Sequence, residues 1–258
     1  NEVVLGELGW QTIKARRWML RLGYWGKLVS MSRSRLAHRI YVRSRKDYQQ
    51  DPTTTNWCSY TAKMMEELGL KQVWDRGNLG GMALETWKEL IKAKIREWEE
   101  ERWKRGIEGK TKLRNYKRWK TRSGREDYLT DGNDTAGTRM VTKLRGGANP
   151  LRIDQGRKEG IPREERICQI CENGVEDEEH FMLRCARYGW LRAKLRLTVN
   201  RALNYVREWW DDETRGPELM DILLGEAAGK KRGTIVEAVK RFAAQATITR
   251  AKTLRLRA

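Results

Sequence analysis

The stretch that decides the local fold lies in the second half of the chain and reads RICQICENGVEDEEHFMLRC, residues 166–185. It places three cysteines and one histidine in the spacing Cys-x2-Cys-x8-His-x4-Cys. The four residues are Cys168, Cys171, His180 and Cys185. Zinc prefers four sulfur and nitrogen ligands in a tetrahedron, and a full set of protein ligands leaves no position for a catalytic water. The spacing therefore predicts a structural Zn²⁺ site that fixes a short segment of the fold.

The usage of cysteine and histidine across the whole chain supports this prediction. The chain has four cysteines and two histidines, and one histidine falls at ligand distance from three of the cysteines. A secreted disulfide protein would spread its cysteines through the fold, whereas clustered cysteines favour a reducing compartment. Three thiolates around a divalent ion leave one net negative charge, which Arg166 or Arg184 would neutralise. The alternative is a set of ordinary buried cysteines beside a surface histidine.

The overall charge points to a polyanionic partner. Lys and Arg number 54 against 35 Asp and Glu, which gives a formal net charge of +19. A charge of this size repels itself in a compact chain and usually serves to bind nucleic acid or an anionic surface. No apolar run approaches the ~20 residues of a membrane span, and the first nine residues lack a signal-peptide pattern. We therefore expect RNA and/or DNA as the partner, no membrane, and a nuclear and/or cytoplasmic location as a ribonucleoprotein, not secretion.

Two stretches concentrate the positive charge. Residues 1–50 hold eleven basic and three acidic side chains, and residues 102–125 hold eleven basic side chains and one acid. In the first stretch the arginines recur every two to four positions and would line one side of a helix. The predicted phosphate-contacting residues are Arg33, Arg35, Arg39, Arg43, Arg45, Arg102, Arg105, Lys110, Lys112, Arg114, Lys117, Arg118, Lys120 and Arg122.

Aromatic residues are interleaved with the second basic stretch. Trp103, Tyr116 and Trp119 lie among its cations. Exposed aromatic rings stack on unpaired bases and contribute ~1–3 kcal/mol each. The alternative, which we favour for each tryptophan taken singly, is that these rings belong to the core and the charges form a solvated face.

The apolar periodicity predicts a mainly α fold, helical and basic, with one small CCHC zinc-knuckle module. Thr53 to Thr55 offer N-caps for a short helix that ends at Gly69, which is placed as a C′ glycine. The other predicted helices cover residues 13–31, a segment through Leu36 and Ile40, and residues 82–104, 138–145, 190–210 and 234–256. The start of a further helix is predicted from Asp177 to Arg187.

Composition and chain breaks divide the sequence into four stretches. The first, 1–50, is a basic helical segment, and the second, 51–129, is a helical region that includes the basic stretch 102–125. The third, 130–200, contains a glycine-rich lead-in, the zinc knuckle and a following helix. The fourth, 201–258, contains the carboxy-terminal helices.

Several motifs match a known kind of protein. Residues 165–171 and 175–185, with Tyr188, resemble the zinc-knuckle region that follows the reverse transcriptase domain in LINE-type, non-long-terminal-repeat retrotransposon proteins. Residues 5–9 with Arg16 and Arg17 resemble the segment just after the polymerase thumb. Residues 142–147 with Gly156 and Arg157 resemble the lead-in to the knuckle. The resemblance covers roughly residues 1–190.

The resemblance implies a function. In that family, the carboxy-terminal region binds element RNA or target DNA during target-primed reverse transcription. It implies a non-catalytic nucleic-acid-binding region here, with the rest of the parent reverse transcriptase polypeptide as a further partner. One departure concerns Gln169 and Ile170, which stand where retroviral-type knuckles often carry an aromatic residue for base stacking. We therefore expect the knuckle to brace the basic surfaces and not to contact bases directly.

Two alternatives belong to other classes of protein. The first is a zinc-braced protein-interaction module that docks an acidic partner, in which case this chain could be a domesticated retrotransposon fragment. The second is an enzyme, since Trp209-Trp210-Asp211-Asp212 has the form of a polymerase metal site. A polymerase needs that pair on a hairpin beside a third carboxylate, whereas here the pair ends a predicted helix. The sequence therefore predicts that this chain is not an enzyme.

Overall fold

The computed structural model describes residues 2–129 and 135–256. All regular secondary structure in those two ranges is helical, apart from two isolated β-bridges. The mainly α prediction is thus confirmed for the described residues. None of their helices combines the length and apolar character needed to cross a membrane. The α-helices are α1 (Glu2–Leu8), α2 (Ile13–Ser30), α3 (Leu36–Gln50), α4 (Trp57–Glu67), α5 (Lys71–Arg76), α6 (Leu84–Glu108), α7 (Arg114–Trp119), α8 (Thr135–Arg145), α9 (Arg152–Lys158), α10 (Gly189–Ala202), α11 (Gly216–Leu224) and α12 (Arg232–Arg255).

The helices belong to two compact units. We call Gln11–Trp103 the aromatic unit, and Asn1–Trp10 together with Lys104–Ala258 the cysteine unit. The cysteine unit is therefore discontinuous in sequence, and the aromatic unit is inserted between its two parts. The four stretches drawn from composition stay a prediction.

Indole rings fill the core of the aromatic unit. Trp25 and Trp87 are both fully buried, with ring centroids 5.2 Å apart. Each indole N–H is satisfied: Trp25 donates to the Tyr41 hydroxyl at 3.1 Å, and Trp87 donates to the Leu22 carbonyl at 3.0 Å. Buried indoles usually require such a partner. Gly26 lets α2 approach Trp87, because a Cβ there would lie 2.4 Å from the Trp87 ring.

The start of α4 differs from the prediction. Its N-cap is Asn56, whose side chain accepts hydrogen bonds from the backbone N–H of Cys58 and Ser59 in a capping box. The predicted caps, Thr53 to Thr55, precede this residue, and the Thr53 side chain instead donates to Asp51 at 2.6 Å. The end of α4 matches the prediction, since Gly69 follows it with φ +70°.

In the cysteine unit, α12 packs against both α8 and α10. Phe242 of α12 lies 5.8 Å from Phe181, ring to ring. The predicted single helix over residues 190–210 is wrong, because α10 ends at Ala202 and two 3-10 turns follow, Asn204–Val206 and Glu208–Trp210. The break lets the chain fold back, so that the Trp210 indole donates to the Asn200 side chain at 2.8 Å.

A buried network of charges joins the first residues of the cysteine unit to its remainder. Arg145 of α8 is 1% exposed and donates to the Glu7 carboxylate of α1 at 3.0 and 3.2 Å. The Tyr128 hydroxyl also donates to Glu7. Backbone contacts run beside this pair, with Glu126 N–H donating to the Glu7 carbonyl at 2.9 Å. The motif in residues 5–9 therefore meets the motif in residues 142–147 in space.

Glu126 is the second buried carboxylate of this network. It lies 3.3 Å from Arg145 and also contacts Lys120 and Arg232. Burial raises the pKa of Glu126, but the adjacent Arg145, followed by the other cations, outweighs burial and leaves the pKa below its ordinary value. A carboxylate with a lowered pKa stabilises the fold above its unfolded pKa, and this contribution is lost as pH falls through the folded pKa.

We expect Arg145→Met to destabilise the cysteine unit by about 3–5 kcal/mol, because it leaves two buried carboxylates without their shared cation. Urea denaturation at neutral pH measures this change. Lys143→Met on the same helix is the matched control, since Lys143 is exposed, and it should change the unfolding free energy by less than about 0.5 kcal/mol. Equal effects of the two variants would contradict a central role for the network.

Candidate metal centre

The structure brings the four predicted ligands together. The ligand atoms of Cys168, Cys171, His180 and Cys185 all lie within 4.8 Å of one another. Cys171 Sγ and His180 Nε2 are 3.3 Å apart. Bonds of about 2.3 Å to sulfur and 2.0 Å to nitrogen around a tetrahedral ion place ligand atoms roughly 3.5–3.8 Å apart. The group could therefore hold a metal ion and is compatible with zinc.

A tight turn presents the first two ligands. An antiparallel bridge joins Ile167 to Val175, and the backbone N–H of Cys168 donates to the Gly174 carbonyl at 3.0 Å. Glu172 N–H donates back to the Cys168 carbonyl at 2.8 Å, and Glu172 has φ +57°, a left-handed conformation that residues with a Cβ rarely adopt. The turn places the Cys168 and Cys171 sulfurs on the same side.

A single wide helical turn presents the other two ligands. The Asp177 carboxylate accepts from the His180 backbone N–H at 3.0 Å and caps this turn. Cys185 N–H donates to the His180 carbonyl at 2.8 Å, a spacing of five residues that is typical of a π-helical turn. The predicted start of a helix from Asp177 to Arg187 is thus confirmed in part: residues 178–184 are helical, but the wide turn His180–Arg184 ends there and a 3-10 turn, Ala186–Tyr188, follows. The wider turn returns Cys185 to His180.

The pKa values of two of the four candidate ligands are shifted in opposite directions. Cys168 and Cys185 are buried, whereas Cys171 and His180 are half-buried. The hydrogen bond between Cys168 and Cys185 raises the pKa of Cys168 to about 12 with help from burial, and the same bond lowers the pKa of Cys185 below its ordinary value. Metal binding requires thiolates, so binding of an ion would release protons from these sulfurs.

Both arginines that the sequence indicated hydrogen-bond to segments next to the ligands, and their role in neutralising the site stays a prediction. Arg166 donates to the backbone carbonyls of Ile161 and Ile153, at 2.8 and 3.0 Å. Arg184 contacts the Glu213 carbonyl at 3.3 Å and the Glu179 carboxylate at 3.5 Å. These guanidinium groups therefore brace the segments on either side of the ligands.

Two other arginines hold the ligand segment in place. Arg192 of α10 donates to the carbonyls of Met182 and Cys185 at 2.9 and 2.8 Å. Arg250 of α12 makes a bidentate pair with Glu176, with both hydrogen bonds 2.9 Å long. A Glu176 oxygen in turn lies 3.7 Å from Cys168 Sγ. Sequence analysis missed Arg192, Arg250 and Glu176, because no local pattern pairs residues 74 positions apart.

The predicted phosphate-contacting residues of the first basic stretch lie in the aromatic unit. Arg33, Arg35, Arg39 and Arg43 are exposed, but Arg33 and Arg35 precede α3, so the cluster does not line one helix as predicted. Arg45 is half-buried: it donates to the Trp74 carbonyl at 2.8 Å and lies over the Trp74 ring at 5.4 Å. Arg45 therefore has a structural partner.

In the second basic stretch, the aromatic residues turn inward and most cations turn outward. Trp103, Tyr116 and Trp119 are all buried, so the core interpretation of these rings is confirmed. The exposed cations are Arg102, Arg105, Lys110, Lys112, Arg114, Lys117, Arg118 and Arg122. Some of these already have acidic neighbours: Lys110 pairs with Glu2 at 2.5 Å and Arg118 with Asp221 at 2.6 Å.

Lys120 corrects the sequence prediction. It is 3% exposed, pairs with the buried Glu126 and donates to the Gly124 carbonyl at 2.7 Å. A lysine in this position neutralises an internal carboxylate and does not reach a phosphate on a ligand. We therefore exclude Lys120 from the nucleic-acid contacts.

The acidic pair that resembles a polymerase motif has ordinary partners. Arg196 donates to both oxygens of Asp211, at 2.8 and 2.6 Å, and Asp212 accepts from the Thr214 N–H at 2.9 Å. The hydrogen bonds from Arg196 lower the pKa of Asp211, and those from the Thr214 hydroxyl and then the Thr214 N–H lower the pKa of Asp212. The pair follows a 3-10 turn and not a strand hairpin. This arrangement is typical of a solvated turn with a local cap.

Comparison with family models, with curated proteins and with solved structures finds no match to this chain. The family resemblance therefore rests on the motifs themselves. In the structure, residues 5–9 contact residues 142–147 through the Glu7–Arg145 ion pair. The four side chains of the cysteine motif lie together in one cluster.

We expect chelation to expose three thiols and leave the fourth protected. Alkylation followed by mass spectrometry, with and without a strong chelator, should label Cys168, Cys171 and Cys185 only after the metal is removed. Cys58 is the internal control, because it is fully buried in the aromatic unit and burial raises its pKa to about 11. Two results would contradict a metal site: alkylation of all four cysteines at the same rate, or alkylation rates that do not change when the chelator is added.

We also expect Cys171→Ser to reduce the metal content and to loosen the cysteine unit, because one ligand of four is lost and metal binding contributes folding free energy. Hydrogen exchange should rise first in residues 166–188. The control is Cys58→Ala, which should keep the full metal content. A Cys171→Ser protein with unchanged metal content and unchanged exchange would show that the ligands are assigned wrongly.

Proposed function

We propose that this chain is the non-catalytic nucleic-acid-binding region of a LINE-type retrotransposon reverse transcriptase protein. In this role it holds element RNA and/or target DNA during target-primed reverse transcription. The observation that carries the proposal is the arrangement of the basic stretches: twelve of the fourteen predicted phosphate-contacting side chains are exposed. The aromatic residues between them are buried, so these cations are presented on a scaffold with its own core.

Electrostatics supports this proposal. A net charge of +19 exceeds what solubility requires of a small protein, and each cation that neutralises a phosphate releases a condensed counterion. The exposed cations of the second stretch lie close together in sequence, on the end of α6, a 3-10 turn, α7 and the residues after it. The backbone of a nucleic acid carries one negative charge per phosphate, so it can contact these cations whatever its base sequence.

In this proposal, the metal is Zn²⁺ and its role is structural. Three thiolates and one imidazole form a soft, closed ligand set of the kind that zinc occupies in small folded modules. Ile170, next to the second ligand, is buried and packs into the core, so it cannot stack on a base. The zinc would stabilise the segment between α9 and α10, and the basic surfaces would contact the nucleic acid.

One observation favours the alternative of a protein-interaction module. Three apolar residues of α2 lie on one helical face and are exposed: Ile13 at 78%, Leu20 at 75% and Tyr24 at 48%. Leu36 and Ile40 of α3 are also exposed, at 69% and 57%. Exposed apolar side chains at helical spacing often mark a protein interface. In our proposal this face would contact the parent polypeptide, whereas in the alternative it would contact the acidic partner.

We expect salt-sensitive binding to RNA and DNA, measured by fluorescence anisotropy with labelled oligonucleotides over a range of salt concentrations. The logarithm of affinity should fall with the logarithm of salt concentration, with a slope of roughly 0.7–0.9 for each phosphate neutralised. Replacing Lys112, Lys117 and Arg122 by Gln should reduce the slope by about 2, because three phosphate contacts are removed. Negligible binding at about 100 mM salt would refute the proposal.

The matched control removes the same charge from another surface. Lys88, Lys92 and Lys94 of α6 each pair with a glutamate three residues away. Replacing these three by Gln changes the net charge equally but should leave the slope nearly unchanged. If the two triple variants weaken binding equally, the second basic stretch has no specific role and only the net charge matters.

A further inference from the structure

The aromatic unit contains a cleft between α2 and α4 that sequence analysis did not indicate. The cleft has a volume of about 390 Å³, within the ~300–1,000 Å³ of sites that bind small ligands. Its walls carry four cations and two aromatic rings, which are Lys14, Arg17, Arg21, Lys63, Trp18 and Tyr60.

Two helices present the same spacing of side chains to this cleft. Lys14, Arg17 and Arg21 of α2 recur every three or four residues, as do Tyr60 and Lys63 of α4. These intervals place side chains on one face of a helix. The buried side chains of Trp18 and Met64, each 7% exposed, form the floor. The cations therefore stand at the rim of a cleft with an apolar base.

The charges in the cleft are not balanced. Lys14 already has partners: it lies 3.6 Å from the Glu67 carboxylate and 4.4 Å from the centroid of the Trp18 ring. Glu67 is the one acid that lines the cleft, and it also accepts from the Trp98 indole at 2.9 Å. Within residues 2–129 and 135–256, no ion pair joins Arg17, Arg21 or Lys63 to an acid. Three cations around one cleft therefore face solvent without a counter-charge.

An exposed ring lies beside these cations. Tyr60 is 54% exposed, unlike the tryptophans that fill the core of this unit. The Arg21 guanidinium lies 5.7 Å from the ring centroids of both Tyr60 and Trp57, so it already stands against the aromatic wall. A cationic rim beside an exposed ring is the combination that binds single strands, since the cations neutralise phosphates and the ring stacks on a base.

We propose that this cleft binds an unpaired nucleotide of a single-stranded RNA or DNA, with its phosphate between Arg17 and Lys63 and its base against Tyr60. The inference rests on the proposed nucleic-acid binding and adds the class of strand and the place where one nucleotide is held. A duplex offers no unstacked base to Tyr60, so it would use the exposed basic stretches alone. An acidic peptide would use the cations without the ring.

The test compares Tyr60→Leu with Tyr60→Phe in the full chain. The probes are a labelled oligothymidine and a labelled duplex hairpin with the same number of phosphates, both measured by anisotropy. Tyr60→Leu should weaken binding of the single strand by roughly 5- to 100-fold, which corresponds to one stacked base, and should leave duplex binding unchanged. Tyr60→Phe should keep the affinity for the single strand. Circular dichroism and the thermal midpoint establish that both variants fold.

A second pair of variants tests the phosphate contact. Arg17→Gln with Lys63→Gln should lower the salt slope for the single strand by about 1, as expected for one phosphate. Arg16→Gln with Lys27→Gln removes two exposed charges of α2 outside the cleft and should not lower it.

Three outcomes would overturn the inference. These are unchanged binding of the single strand by Tyr60→Leu, an equal loss for the duplex, or preferential binding of polyglutamate that Tyr60→Leu does not affect. If the second basic stretch proves necessary for binding while Tyr60→Leu has no effect, the proposed function stands and only the cleft assignment fails. If the unmodified chain binds neither oligonucleotide, both proposals fail.

Discussion

One buried cation holds the cysteine unit together across its discontinuity. Arg145 is enclosed with Glu7 and Glu126, and its guanidinium also donates to the Leu224 carbonyl. Two carboxylates in such a place would be costly without a paired and hydrogen-bonded cation. The side chains therefore specify where α1 must pack, although some hundred residues of the aromatic unit separate it from α8. Gly9 completes this contact, because with φ +62° it passes so near Arg125 that a Cβ would lie 2.5 Å from that backbone nitrogen.

A second buried pair of a carboxylate and an arginine holds the segment that carries the candidate metal ligands. Glu176, 1% exposed, is held by Arg250 of α12, and its carboxylate also reaches toward Cys168. Arg192 anchors the other side through the Cys185 carbonyl. The ligand geometry and the packing of α10 and α12 are therefore coupled. Loss of an ion would leave thiols beside a buried carboxylate, and disruption of the Glu176–Arg250 pair would displace a ligand. A metal site enclosed by these elements fits this coupling better than a surface module that acts alone.

Local signals in the sequence predicted what depends on neighbours in the chain. Helical periodicity placed α2, α6 and α12 to within a few residues, and the spacing of Cys168, Cys171, His180 and Cys185 predicted the ligand cluster. The signals failed where distant residues decide. Lys120 has the same local context as its exposed neighbours, and it points inward because its ammonium group pairs with the buried Glu126 and donates to the Gly124 carbonyl. The break after Ala202 likewise depends on Trp210 folding back to Asn200, which apolar periodicity does not encode.

The high tryptophan content and the high charge are connected. Indole rings supply a large part of the core of the aromatic unit, and the N–H groups of Trp25 and Trp87 find partners inside it. With the rings inside, the arginines and lysines of the same helices are directed outward, so α2 can carry a core face, an exposed apolar face and a cationic cleft face at once. The one aromatic ring of the α2–α4 cleft that remains outside, Tyr60, is also the one that stands next to cations without acidic partners. If the proposed nucleic-acid binding includes a stacked base, that contact is therefore better placed in the cleft than at the cysteine motif, where Ile170 is buried.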